Sequence, residues 1–293
     1  MKASHRMETL LARAVLAAMG ALPWRGSLAA GARLGDVTRA FGIRRRVARE
    51  NLARAFPEKS AAERERILAG HYRELGRVAA EYARLDRLVR APAGEVVASA
   101  RGIGHLEAAR GRGAILLSGH FSNFEVVGAS LARLNPLDFV VRPLSNPGVE
   151  AWIAARRRAA GVGLISADDG LRGIFQALRA GRWVAFLADQ DARGSGVFVP
   201  FFGHPASTPV GPARLALKLG VPIVMGFALR RDDGRFDLEV DPPLPLPDRR
   251  DPGAARALTA LHTARLEERV RRRPELWFWL HRRWKTAPPA TDR

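Results

Sequence analysis

The stretch AILLSGHFSNFEVVGASLARLNPLDFVVR, residues 114–142, decides the fold class. Its first five residues, 114–118, are almost wholly apolar and predict a short buried strand. The next segment predicts a helix over 122–134, and the apolar run at 138–142 predicts a second strand. A strand, a crossover helix and another strand in this order indicate two parallel strands.

The same alternation continues along the chain. Strands are predicted at 162–166, 183–189, 222–229 and 235–240, with helices at 147–160, 171–180 and 212–220. We therefore predict an α/β fold, in which a mostly parallel central sheet is flanked by helices. The last of these strands alternates polar and apolar residues, so we expect it at an edge of the sheet.

Composition divides the chain into two regions. Residues 1–44 form an apolar, helical region, and residues 45–293 are predicted to form a single domain. This domain is expected to be helical over 45–100, to have its α/β core at 111–241, and to end with a basic helix and an aromatic, basic tail over 253–286. Within its helical part, Ser60 followed three residues later by Glu63 predicts the start of a helix.

The overall charge limits the classes of partner. The 293 residues carry a formal net charge of +19, which favours nucleic acid, an anionic membrane or an acidic substrate. Part of this excess is attributable to a composition bias that enriches Arg and Ala together. Cys is absent, which excludes disulfides, thiolate catalysis and zinc sites built on Cys.

The N-terminal region 1–44 is apolar but interrupted by Arg13 and Arg25. Its longest uncharged run, 14–24, is shorter than the roughly 20 residues that cross a bilayer, and we predict no signal peptide. Apolar residues recur there at helical spacing: Leu10, Leu11, Val15, Leu16 and Met19. This pattern fits a helix lying in a membrane interface, and it fits equally well an ordinary helix packed on the core.

His120 and Glu125 are the first candidates for chemistry. On one continuous helix they would lie about 140° apart, so we expect His120 in the turn that precedes the helix, with Glu125 reaching back to it. A carboxylate in that position would hold the imidazole in one tautomer and leave the other ring nitrogen as a base. The alternative is a capping His with a solvated Glu, and the spacing alone favours that alternative.

A second group follows another predicted strand. Asp189, Gln190 and Asp191 stand at the carboxyl end of the strand at 183–189, as His120 stands just beyond the strand at 114–118. Sites in open α/β sheets form at the carboxyl ends of strands, so we expect both groups at one rim of the sheet. No second His lies within four residues of His120, and we expect no metal ion.

These residues stand within longer motifs that resemble a known family. HFSNFE is similar to the H-x4-D/E motif of the glycerolipid acyltransferase superfamily. Four further segments closely resemble the lipid A late acyltransferases, the lauroyl and myristoyl transferases of Gram-negative bacteria. These segments span 50–67, 140–161, 187–231 and 274–286, and include DQD, FVPFFG and HRRWKT in that order.

The resemblance implies a membrane-associated enzyme that transfers a fatty acyl chain. The donor would be a thioester of acyl carrier protein or coenzyme A. The acceptor would be a hydroxyl group of a lipid A precursor or a similar glycolipid. His120 would be the general base, and Glu125 would orient it and balance its charge. The implied substrate-binding residues are Ser122, Asn123, Arg142, Asn146, Arg157, Asp189, Gln190 and Asp191. Arg in such a site suits phosphate groups, which it binds with two parallel hydrogen bonds.

The resemblance further implies the cytoplasmic face of the inner membrane, with peripheral attachment to its anionic surface or a single N-terminal anchor. No cofactor and no nucleic acid partner are expected. Three alternatives stay open: an acyltransferase for another acceptor, such as a phosphatidylinositol mannoside; a hydrolase of the same fold; and a basic protein that binds nucleic acid or membranes without catalysis.

Overall fold

A computed structural model describes residues 3–92 and 94–289 of the chain. The helices are α1 (Ala3–Ala21), α2 (Trp24–Ala40), α3 (Arg45–Ala55), α4 (Ala61–Tyr82), α5 (Leu85–Arg90), α6 (Gly104–Glu107), α7 (Phe124–Leu131), α8 (Pro147–Ala159), α9 (Arg172–Arg179), α10 (Gly211–Leu219) and α11 (Ala254–Arg272). The strands are β1 (Val97–Arg101), β2 (Ala114–Ser118), β3 (Leu137–Val141), β4 (Gly163–Ser166), β5 (Trp183–Leu187), β6 (Val197–Phe201), β7 (His204–Thr208), β8 (Ile223–Arg230) and β9 (Phe236–Val240).

The fold is the predicted α/β fold with a mostly parallel sheet. The described residues form a seven-stranded sheet in the order β1-β9-β8-β2-β5-β3-β4, and the β8–β9 pairing is antiparallel within it. The expected position of residues 235–240 at the sheet edge is wrong, because β1 pairs with β9 and covers it. The antiparallel direction of β9 is what allows it to follow β8 after a short turn.

The sheet separates two hydrophobic clusters. In β2, Ile115 and Leu117 belong to one cluster, and Ala114 and Leu116 belong to the other. Alternate residues of a strand point to opposite faces of its sheet, so both faces are covered. This explains why β2 is apolar at successive positions, as strands buried on both faces usually are.

The N-terminal helices form a layer against this core. Ser60 and Glu63 form the predicted capping box at the start of α4. Helices α2 and α4 approach so closely that a Cβ atom added to Gly76 would lie 1.8 Å from the carbonyl oxygen of Gly31. Only glycine permits that approach, and α2 thereby packs directly on α4.

Helix α1 is the outermost element of this layer. Its outward side exposes large apolar side chains, namely Met7, Leu10, Leu11 and Val15. Over residues 3–92 and 94–289, none of the helices has the length and the apolar character needed to cross a membrane.

Candidate active site

The register of two neighbouring strands brings His120 and Asp189 together. Strands β2 and β5 are parallel, and Ser118 pairs with Leu187 at their carboxyl ends. His120 and Asp189 each lie two residues beyond these paired positions, so equal extensions of the two strands carry both side chains to the same rim. A Cβ atom on the intervening Gly119 would lie 2.8 Å from the Asp189 carboxylate, so glycine at that position permits the contact.

Asp189 holds the His120 imidazole in a defined orientation. One oxygen of the carboxylate, Oδ1, lies 2.7 Å from His120 Nδ1. The other, Oδ2, accepts a hydrogen bond of 2.7 Å from the His120 backbone N–H. Because an ionised carboxylate only accepts hydrogen bonds, this contact places the proton on Nδ1 and leaves the lone pair on Nε2. The side-chain amide of Gln190 donates to that nitrogen over 3.3 Å, which is a long hydrogen bond.

Asp189 stays ionised in this setting. Burial by itself would raise the pKa of its carboxyl group, but the charge and hydrogen bonds of His120 lower that pKa to about 2. Trp277 contributes to the shift, since its Nε1–H donates to Asp189 Oδ2 over 2.8 Å. The side chain of His120 is 27% exposed whereas that of Asp189 is 1% exposed, so the imidazole faces an opening and its partner does not.

The C-terminal tail braces this rim. The backbone N–H of Phe278 donates to the His120 carbonyl over 3.0 Å, and Leu276 accepts from the Ser122 N–H over 2.7 Å. Asp191 is tied to the same tail, because Thr286 donates to its carboxylate over 2.9 Å and its own N–H donates to His281 Nε2 over 2.9 Å. The tail therefore positions the loop that carries Asp189.

The expected contact between Glu125 and His120 is wrong. Asn123 caps α7, and Glu125 in its first turn points to Arg157 of α8. Both carboxylate oxygens of Glu125 accept hydrogen bonds from this guanidinium, one of them over 3.0 Å from Nε. The helix starts at Phe124, two residues later than predicted, and Glu125 in its first turn pairs with α8.

The Glu125–Arg157 pair is a separate buried cluster. Burial works to lower the pKa of Arg157, but the hydrogen bond and charge of Glu125 outweigh burial and raise it. Tyr82 of α4 lies against both partners, and burial together with the charge of Glu125 raises the pKa of its hydroxyl well above 10. The phenol therefore stays protonated and can donate a hydrogen bond to the cluster.

Ser122 and Asn123 are buried beneath the His120 turn. The Ser122 hydroxyl donates to Glu74 over 2.7 Å, and the Asn123 amide donates to Glu81 over 2.6 Å. Ser122 has a φ of 47°, a strained value for a residue with a side chain. The structure thus uses these two side chains to hold the turn, and both point into the protein.

Arg230 pairs with both glutamates, and Arg77 adds a second cation 3.7 Å from Glu74. Arg230 of β8 donates to Glu74 over 2.7 Å and to Glu81 over 2.6 Å, and all three side chains are nearly inaccessible. Burial raises the pKa of Glu81, although Arg230 opposes that shift. Charges buried this deeply persist because each finds an opposite partner.

Arg142 and Asn146, which were also predicted to bind substrate, contact residues other than His120. The side chain of Arg142 is 81% exposed and 3.9 Å from Asp168. Asn146 caps α8 and also binds α1, donating to the His5 carbonyl over 3.1 Å and to Glu8 over 3.0 Å. Within residues 3–92 and 94–289, no cluster of three or more His, Asp or Glu side chains is arranged to hold a metal ion.

Sequence reasoning missed the supporting residues of the site. Glu74 and Glu81 are seven residues apart in α4, which puts them on one face of a helix. Ile67, seven residues before Glu74, shares that face and packs against the hydrophobic core. Two carboxylates on an apolar helix face indicate buried partners, so this signal was present in the sequence. For Trp277 and Tyr82, residue type and spacing carry no comparable signal.

Comparisons with known proteins show the family of this chain. The sequence profile of a family described as bacterial lipid A biosynthesis acyltransferase matches residues 2–286. The chain is 30% identical to a lipid A biosynthesis palmitoleoyltransferase of Escherichia coli, over 88% of this chain and 84% of the relative. It is 30% identical to a lipid A biosynthesis lauroyltransferase of the same organism, over 91% and 88%. A phosphatidylinositol mannoside acyltransferase of Mycobacterium tuberculosis is 28% identical, over 80% and 76%. The chain therefore belongs to the bacterial lipid A biosynthesis acyltransferase family and is an acyltransferase.

Proposed function

We propose that this acyltransferase moves a fatty acyl chain from the thioester of acyl carrier protein, or of coenzyme A, to a hydroxyl group of a lipid A precursor. The observation that carries this proposal is the His120–Asp189 pair at the carboxyl ends of β2 and β5. Its geometry suits a general base, because one ring nitrogen is fixed by Asp189 and the other faces an opening.

In the proposed reaction, His120 Nε2 takes the proton of the acceptor hydroxyl. The oxygen attacks the thioester carbonyl carbon, a C–O ester bond forms and the C–S bond breaks. The departing thiolate receives the proton from the imidazolium, so no proton is gained or lost overall. Asp189 stabilises the imidazolium while it exists, and the long hydrogen bond from Gln190 is replaced by the substrate hydroxyl.

The acceptor is a glycolipid in this proposal, and two classes compete. The names of the Escherichia coli relatives favour a lipid A precursor, whereas the mycobacterial relatives act on phosphatidylinositol mannoside, as their names state. The higher identity and coverage of the first group lead us to favour the lipid A precursor. Purified enzyme offered both acceptors in separate reactions would discriminate between them.

We also propose attachment to the cytoplasmic face of the inner membrane through α1. Among the described residues, eight of the eleven exposed large hydrophobic side chains lie in residues 7–43. A concentration of this kind marks a contact surface, and the net charge of +19 favours an anionic membrane over a neutral one. A helix lying in the interface meets both conditions.

The decisive experiment is an acyl-transfer assay read by mass spectrometry. Wild-type enzyme in detergent receives lauroyl- or myristoyl-acyl carrier protein and a tetra-acylated lipid A precursor, beside His120→Ala and the control His204→Ala. His204 is exposed on β7, so its loss should be neutral. We expect a mass gain of one acyl chain that disappears only in His120→Ala.

Two other results would change the proposal. Wild-type turnover by His120→Ala would refute the assignment of the base. Thioester consumption that needs His120 but adds no chain to this acceptor would keep the chemistry and refute the choice of acceptor.

A further inference from the structure

We infer that the side-chain amide of Gln190 donates a hydrogen bond to the oxyanion that forms on the thioester carbonyl group during acyl transfer. The inference rests on the proposed function, because it assumes attack on an acyl thioester with His120 as base. It goes further by assigning a second catalytic residue, which contacts the reacting carbonyl group and takes no proton.

The amide of Gln190 lies directly beside the base. Its nitrogen is 3.3 Å from His120 Nε2, and an imidazole fixed by Asp189 with its proton on Nδ1 offers a lone pair at Nε2. The amide therefore turns its NH₂ group, and not its oxygen, toward the base. This group carries two N–H donors, so a donor already points to the place where the reaction occurs.

This donor is weakly bound at rest. In the described residues, 3–92 and 94–289, the long contact with His120 is the one hydrogen bond of the Gln190 side chain. The nearby backbone N–H groups of His120, Ser122 and Phe278 are instead occupied, since they donate over 2.7, 2.7 and 3.0 Å. A new acceptor at the site can therefore recruit the Gln190 amide without breaking a strong hydrogen bond.

The neighbours of Gln190 in the chain fix its backbone. On one side, Asp189 accepts a hydrogen bond of 2.8 Å from the indole of Trp277. On the other, the backbone N–H of Asp191 donates to His281 Nε2 over 2.9 Å. The amide is thus confined to a small region beside the base, and a donor held in this way stabilises developing charge without costly rearrangement.

The chemistry of the step brings the oxyanion to this amide. The oxygen of the acceptor hydroxyl comes within hydrogen-bond distance of His120 Nε2 and takes the place of the Gln190 contact. When this oxygen bonds to the carbonyl carbon, the π electron pair of C=O moves onto the carbonyl oxygen, which becomes negatively charged. Both oxygens are then attached to one carbon, so the charged one lies next to the atom that displaced the amide.

Rotation of the Gln190 side chain is then sufficient for its N–H to donate to the charged oxygen. The electron pair returns to form C=O as the C–S bond breaks, and the departing thiolate takes its proton from the imidazolium. The hydrogen bond to the carbonyl oxygen is strongest while the charge exists, so it stabilises the transition state more than the bound substrates.

The test removes the donor while keeping the size of the side chain. Gln190→Met has no N–H group, so kcat should fall about 100-fold, while KM for donor and acceptor should stay within about threefold. Gln190→Glu presents an ionised group that only accepts hydrogen bonds and should lose at least as much. Gln176→Met is the matched control, because Gln176 is exposed on α9, and it should keep the wild-type kcat. Equal midpoints of unfolding in urea check that the variants are folded.

A dithioester donor separates stabilisation of the oxyanion from positioning of the base. In this donor a sulfur atom replaces the carbonyl oxygen, and sulfur accepts hydrogen bonds only weakly. The roughly 100-fold ratio of wild-type to Gln190→Met rates should therefore shrink to less than about tenfold, because the two changes remove the same interaction. A residue that only held His120 in place would give the same ratio with both donors, and that result would overturn the inference.

Release of thiol by water, without a glycolipid, separates failure of this inference from failure of the proposed function. The chain contains no Cys, so a thiol reagent detects no thiol from the enzyme itself. If wild type does not acylate the lipid A precursor but releases thiol, and Gln190→Met lowers that release, the inference holds and the acceptor is misassigned. Equal release by wild type and Gln190→Met, with His120→Ala inactive, would refute the role of Gln190 and leave the base in place. Wild-type enzyme that neither transfers an acyl chain nor releases thiol would overturn both.

Discussion

Replacing Asp189 by Asn should disable His120 through its tautomer. Asp189 Oδ2 accepts from two donors, the His120 N–H at 2.7 Å and the Trp277 indole N–H at 2.8 Å, while Oδ1 faces His120 Nδ1. The Asn oxygen will turn toward the two donors, because the amide nitrogen cannot accept a hydrogen bond. That nitrogen then donates to Nδ1, which moves the imidazole proton to Nε2, the atom that we propose as the base.

The size of the loss follows from the two donors. To restore the working tautomer, the variant has to point its amide NH₂ at both N–H groups and leave them without an acceptor. Each buried donor left unpaired costs about 1–3 kcal/mol, so the correct state lies about 2–6 kcal/mol above the resting one. At 1.36 kcal/mol per factor of ten, the rate of acyl transfer should fall roughly 30-fold to 10⁴-fold.

Single-turnover rates of Asp189→Asn measure this effect, and Asp232→Asn is the control. Asp232 is exposed in the turn between β8 and β9, so the rate of Asp232→Asn should stay close to wild type. Nitrogen NMR of labelled His should show the proton on His120 Nδ1 in the wild type and on Nε2 in Asp189→Asn. A folded Asp189→Asn enzyme with a rate within threefold of wild type would refute the reasoning, as would an equal loss in Asp232→Asn.

Three further predictions concern the supporting residues. Arg157→Lys removes the two parallel bonds to buried Glu125 and should lower the free energy of unfolding by about 1–3 kcal/mol, measured in urea; an unchanged value would contradict the described pairing. Asn123→Ala removes the cap of α7 and the donor to Glu81, and should cost about 1–3 kcal/mol in the same assay; a stability equal to that of wild type would count against the buried network. Burial lowers the pKa of His71 from 6.5 to about 3, so the unfolded state binds more protons between these values and stability should fall with decreasing pH by up to about 1.4 kcal/mol per pH unit. His71→Phe should reduce that slope, and an identical slope would show that other groups cause it.

The alternation of strands and helices was sufficient to predict the rim where the site lies. Strand β2 falls on the predicted residues 114–118, and the DQD loop follows β5 as expected. The fact that β2 and β5 are neighbours could not be read from the sequence, because strand order depends on long-range pairing. That adjacency is what makes Asp189, rather than a residue nearer in sequence, the partner of His120.

Short elements were harder to predict than the central strands. The hairpin of β6 and β7 lies in a segment containing Pro200 and Pro205, and Pro argues against a strand in the interior of a sheet. In this two-stranded pair both strands are edges, where Pro is tolerated. Strand β1 is only partly buried and so lacks the apolar run that signals a strand.

In the proposed mechanism, the geometry gives His120 and Glu125 different tasks. Both oxygens of Glu125 accept hydrogen bonds from the Arg157 guanidinium, which stays positively charged because arginine does not lose its proton in proteins. This carboxylate is therefore poorly suited to accept a proton from a substrate. His120 differs, because its Nε2 meets only a long amide contact from Gln190, which an incoming hydroxyl can displace at small cost. Glu125 anchors the start of α7 to α8, and it thereby supports the turn that carries His120, the proposed base.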